Sequence, residues 1–117
     1  MQPLSLTLVQ TATAWHDPAA NRARFERRLE ALGTPGDVIV LPEMLTTGFT
    51  MAAAEHAEPM DGESVAWLRE MARRTGAAVC GSMVIAEGDR YRNRFLWATP
   101  EAASASWKVV ILLCPAL

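Results

Sequence analysis

Cysteine is scarce in this sequence: Cys80 and Cys114 are the only two, and they form no metal-ligand spacing. A pair of that kind, in a sequence without an export signal, suggests reduced thiols in a cytoplasmic protein. No apolar run approaches the roughly eighteen residues that would mark a bilayer span, so a membrane protein is not expected. The opening Met1-Gln2-Pro3-Leu4-Ser5 lacks the basic start and apolar core of an export signal. Excess charge is missing too. With a net charge of -2, a basic nucleic-acid-binding domain is excluded as the default, although Arg22, Arg24, Arg27 and Arg28 lie close together. Glu26 and Glu30 are interleaved with them, the pattern of a solvated helix face. Internal repeats and low-complexity tracts are absent.

What the chain does contain is an ordinary globular composition, 50% hydrophobic and 21% charged over 117 residues, enough for one domain at most. Its most informative stretch is Val38-Ile39-Val40-Leu41-Pro42-Glu43-Met44. Four consecutive strand formers imply a strand buried on both faces, and Pro42, which has no N–H to give a sheet ladder, stops it. Glu43 therefore stands at the carboxyl end of a strand, the edge of an open α/β sheet where ligands bind. A glutamate after a strand is more often a solvated loop residue, so position alone does not make it catalytic.

Around this strand the pattern reads β-α-β-α-β-β. Leu4, Leu6 and Leu8 alternate with Ser5, Thr7 and Val9 and predict a first strand with one apolar face. Asp17 before Pro18 predicts a helix start, Phe25, Leu29 and Leu32 its apolar stripe, and Gly33 with Pro35-Gly36 its end. Strand, helix, strand implies a right-handed crossover between parallel strands. The loop Met44 to Met51 is unusually apolar; Phe49 and Met51 either line a pocket or cap the core. Ala52 to Met60 carries little signal, and His56 reads as an exposed histidine. A second helix fits Glu63 to Thr75, with Val65, Leu68, Met71, Ala72 and Thr75 on one face and Gly76 beyond its end. Ala77 to Ala86 predicts a third strand in which Cys80 is a small buried hydrophobe rather than a nucleophile. After the turn Glu87-Gly88-Asp89-Arg90, Tyr91 to Thr99 predicts a fourth strand antiparallel to the third. Residues 101–117 have no comparable pattern.

Taken together, Leu6-Thr7-Leu8-Val9-Gln10-Thr11, Leu41-Pro42-Glu43-Met44 with Thr46-Thr47-Gly48-Phe49, Cys80-Gly81-Ser82, and Tyr91-Arg92-Asn93-Arg94-Phe95 resemble the nitrilase, or carbon-nitrogen hydrolase, superfamily. The wording is most similar to its ω-amidase branch, which hydrolyses 2-oxoglutaramate and related ω-amides of dicarboxylic acids. The resemblance implies the N-terminal part of an α-β-β-α sandwich over residues 1–100, no cofactor and no metal, and a glutamate-lysine-cysteine triad acting on a small-molecule amide. Glu43 matches the family's glutamate and takes over its general-base role. Lys108 falls near the expected distance for the lysine, but in the context Trp107-Lys108-Val109-Val110 instead of tyrosine-aspartate-lysine-arginine-histidine. Cys114 lacks the nucleophile's context and the strands that precede it.

The tail 101–117 thus reads as foreign to the family, from truncation, a shifted frame or a sequence error. One choice of codons for Lys108 to Leu113, read two nucleotides later, gives Ser-Arg-His-Leu-Ala, close to the family's wording. The expectation is an inactive chain, or a fragment kept as an interaction or regulatory module. With its second sheet missing, it should self-associate through an exposed apolar face.

Overall fold

The computed structural model describes residues 2–101 and 110–111, the last two as backbone only. Within them the elements run β1 (Leu6–Leu8), α1 (Pro18–Ala31), β2 (Val38–Val40), α2 (Ala53–His56), α3 (Glu63–Thr75), β3 (Ala78–Glu87), β4 (Arg90–Ala98) and β5 (Val110–Ile111). The strands form one sheet in the order β1-β2-β3-β4-β5. The first three are parallel, with Leu6 beside Val38 and Val38 beside Ala78. β4 and then β5 add antiparallel, Cys80 facing Trp97 and Phe95 facing Val110. The short β3–β4 turn makes a hairpin, whereas each parallel step needs a helical crossover.

Both long helices begin and end where local chemistry dictates. Asp17 caps α1, its carboxylate accepting from Ala20 N at 3.0 Å, and Pro18 occupies the first turn, where a missing N–H costs nothing. α3 has Gly62 at its N-cap and no capping side chain of its own. The carboxylate of Glu58 substitutes, accepting from Ser64 N at 3.1 Å and from Ser64 Oγ at 2.5 Å. Gly76 closes the helix in the left-handed region at φ 70°, a conformation glycine adopts without strain. Arg74 ties the two helices together through Glu26 at 2.5 Å and Glu30 at 2.8 Å. Its guanidinium holds the Glu26 carboxyl below the usual carboxylate range.

These helices cover one face of the sheet. Phe25 and Leu29 from α1 and Val65, Leu68, Met71 and Ala72 from α3 pack on Ile39, Val79, Met83, Ile85 and Leu96. Because strand side chains alternate, the intervening residues point the other way, where Val38, Ala78 and Cys80 cluster with Val40, Phe95 and Trp97. The two long helices leave that second face uncovered, and the short α2 reaches it only where Ala53 packs on Val84. Its β1 edge is open: Leu4, Leu6 and Leu8 are 68%, 55% and 73% exposed. The apolar face expected of the first strand therefore exists, but it looks away from the helices, and Thr7 is the residue that turns inward.

Three sequence expectations need correction. Leu32 lies just past the end of α1 and is 39% exposed, so the buried stripe is Asn21, Phe25 and Leu29. Ala52 to Met60 is structured: α2 buries Ala53 against Met44 and Val84, and Glu58 bridges to Ile85. His56, read as exposed, is 23% exposed at its side chain and packs against His16 with the rings tilted and their centroids 3.8 Å apart. Among the described residues no helix is long and apolar enough to cross a membrane.

Candidate active site

The strand that ends at Pro42 places Glu43. Leu41 N donates to Cys80 O at 2.7 Å, extending the ladder one residue past β2. The chain then turns at residues 43–47, with Met44 at φ 49° and Gly48 at φ 78°. A non-glycine residue in the left-handed region is strained, and the surroundings must hold it there. They do so through one residue of β3: Ser82 Oγ accepts from Met44 N at 2.8 Å, and Ser82 O accepts from Leu45 N at 2.9 Å. Met44 and Leu45 are buried while Glu43 between Pro42 and Met44 is exposed.

This close approach explains the glycine before Ser82. A Cβ on Gly81 would lie 2.7 Å from Leu45 Cδ2, 3.1 Å from Leu41 Cβ and 3.3 Å from Pro42 O. A larger residue there would force the Leu45 side chain to move and would press on Leu41 Cβ and the Pro42 carbonyl. The Cys80-Gly81-Ser82 triplet is thus a seat for the Leu41–Leu45 segment. From the adjacent strand, Asn93 Nδ2 donates to Glu43 Oε1 at 2.8 Å. Asn93 itself is only 2% exposed.

A second set of contacts holds the far end of the turn. Asn21 on α1 is wholly buried and donates through Nδ2 to Ala14 O and Thr46 O, each at 2.8 Å, while its Oδ1 accepts from Ala14 N at 2.6 Å. His16 N donates to Thr47 O at 2.9 Å, and His16 Nε2 lies 2.6 Å from Thr50 Oγ1. Trp15 stacks on His16 at 4.3 Å. Phe49 and Met51, for which pocket lining and core capping were both open, are each 60% exposed, so they do not cap the core. A shallow apolar cleft lined by Leu8, Val9, Gln10, Val40, Leu41 and Pro42 lies at the carboxyl ends of β1 and β2.

The remaining candidates separate from Glu43. Cys80 sits mid-strand, 2% exposed, and burial pushes its thiol up from the ordinary value. A thiol that stays protonated at neutral pH is a poor nucleophile, which agrees with the structural role expected from sequence. Lys108, the sole lysine of the sequence, and Cys114 lie outside the described residues. Among the described residues no group of three or more histidine, cysteine or acidic side chains could hold a metal ion. Sequence reasoning missed Asn21 and gave no role to Asn93. An asparagine four residues ahead of Phe25 in an apolar stripe was the available signal for the first; the second needs the strand register.

The sequence and the fold have counterparts in known proteins. The carbon-nitrogen hydrolase family model matches residues 5–105. The chain belongs to the carbon-nitrogen hydrolase family. Within that family it is similar to the omega-amidase YafV of Yersinia enterocolitica, 46% identical over 101 residues that make up 86% of this chain and 39% of the relative. The YafV protein of Escherichia coli K12 is 40% identical over 100 residues, 86% of this chain and 38% of its own. Among solved structures, XC1258 of Xanthomonas campestris, a CN-hydrolase superfamily protein with an arsenic adduct in the active site, superposes with a TM-score of 0.87. It is 42% identical, and the match covers 95% of this chain and 41% of that one. The chain therefore spans about two fifths of the length of the hydrolases it matches.

Gly81→Val should lower stability by about 1–3 kcal/mol in urea unfolding, the usual range for overpacking a close contact. An unchanged midpoint would show that the turn does not rest on β3 as described.

Proposed function

We propose that residues 1–100 supply the general-base portion of an ω-amidase-type active site, and that the chain by itself does not turn over amides. The observation that carries this reading is Glu43: an exposed carboxylate at the carboxyl end of β2, oriented by Asn93 at 2.8 Å, on a turn seated by Ser82. The substrate class is an ω-amide of a dicarboxylic acid, of the 2-oxoglutaramate type. The similarity to omega-amidases and, at 28% identity, to the 2-oxoglutaramate amidase of Bacillus subtilis supports it.

In such a reaction a cysteine thiol attacks the amide carbon while a carboxylate takes its proton and returns it to the departing ammonia. Water then cleaves the thioester with the same carboxylate as base, and a lysine ammonium stabilises the negative oxygen of each tetrahedral intermediate. Glu43 can perform the proton transfers. The buried Cys80 cannot supply the thiolate, and Lys108-Val109-Val110 and Cys114-Pro115 lack the family's wording around lysine and nucleophile. Residues 101–117 are accordingly proposed as a divergent tail.

Purified chain should release no ammonia from succinamate above the buffer rate. Release that disappears in Cys114→Ser, with the fold intact by circular dichroism, would contradict this and make Cys114 the nucleophile.

A second reading, a module that acts by association, is favoured by the exposure of Leu4, Leu6 and Leu8 beside Val40 on the face opposite the helices. Sedimentation velocity should show concentration-dependent self-association of the parent chain that weakens in the Leu6→Ser/Leu8→Ser double variant. A parent that remains monomeric at every concentration would exclude this face as a contact surface.

A further inference from the structure

Asn93 is buried in a way that stability does not explain. Its Nδ2 is used, donating to Glu43, yet its Oδ1 is buried with no hydrogen-bond partner among the described residues. A buried carbonyl without a donor costs free energy that an apolar side chain of the same shape would not. The bond it makes instead goes to an exposed side chain, the kind of contact that contributes little to folding. Rules of packing broken at one position without a compensating gain mark places kept for function.

The strand register specifies what that function is. Asn93 faces Val84 across the β3–β4 ladder, two residues along from Ser82, which seats Met44 and Leu45. Adjacent strands thus grip the turn from below and the carboxylate from the side. An amide suits this role, because its NH2 can only donate and a carboxylate can only accept, so the pairing sets the orientation of the carboxylate without adding or removing charge. A cation in the same place would bind the carboxylate more strongly but would also stabilise its charged form and weaken it as a base.

We propose that Asn93 is a positioning residue for Glu43, retained at a cost in stability, that fixes the carboxylate rotamer for proton transfer. The proposal rests on the reading of Glu43 as the general base, and it concerns orientation, not chemistry at the substrate. Two measurements on the chain test it without requiring turnover. In the 15N-labelled parent, the side-chain NH2 signals of Asn93 should shift with pH as the Glu43 carboxyl titrates, and Glu43→Gln should abolish that shift. In Asn93→Leu, nearly the same shape without the polar atoms, the melting temperature should equal or exceed the parent's. At the same time the 13C signals of the Glu43 side chain should collapse to those of a freely rotating surface glutamate. NH2 signals that ignore pH would overturn the proposal in the parent alone. So would an Asn93→Leu chain that melts lower while the Glu43 signals stay unchanged, since that is the mark of a merely structural asparagine. Failure of Glu43 as a base shows separately, as ammonia release from succinamate by the chain that survives Glu43→Gln, and leaves the NH2 titration of the parent in place.

Discussion

Everything at this site depends on the docking of five residues, Leu41 to Leu45, onto β3. Three backbone N–H groups, those of Leu41, Met44 and Leu45, donate to Cys80 O, Ser82 Oγ and Ser82 O. Pro42, which has no N–H, sits in the one place where the ladder must break. The result holds Met44 at φ 49° and directs Glu43 outward while its neighbours are buried. Strain in the turn is offset by these hydrogen bonds, two to main-chain carbonyls of β3 and one to the Ser82 hydroxyl. Once the turn is seated, Asn93 and the Asn21 clamp act on a fixed object.

The same sheet has two unlike faces. Toward the helices it is filled by Phe25, Leu68, Ile39, Val79 and Leu96, all with no exposed surface. On the other side an apolar cluster of Val38, Ala78 and Cys80 continues to a β1 edge whose leucines remain more than half exposed. That asymmetry fits a chain matching about two fifths of its relatives' length. The groups that hold Glu43 all lie within this segment, since its partner Asn93 stands on β4 and Ser82, which seats its turn, on β3.

Much of this architecture was readable from the residues. Glu63 to Thr75 carries an unbroken helical stripe and a terminal glycine, and the helix has those bounds. Val38-Ile39-Val40 was unmistakable because β-branched residues on both faces followed by proline have few other uses. Glu43 at a strand's carboxyl edge followed from the same run, and the surrounding motif placed it in its family. What was not legible depended on contacts distant in sequence. The direction in which Leu4, Leu6 and Leu8 point depends on which face the helices choose, which alternation does not specify. Asn93 gains meaning only when β4 pairs with β3, fifty residues from the glutamate it holds. The place of Ala53–His56 in the fold depends on the packing of Ala53 against Met44 and Val84, contacts that the local sequence does not reveal.

Hydrogen exchange at the Met44 and Leu45 amides reads the docking of the turn directly, since both donate to Ser82 and to nothing else in the described structure. These amides should be protected to the same degree as those within β3, and Ser82→Ala should selectively release Met44 while Leu45, bonded to the main chain, stays protected. Exchange of both amides at the rate of an unstructured loop would contradict the account of how Glu43 is held.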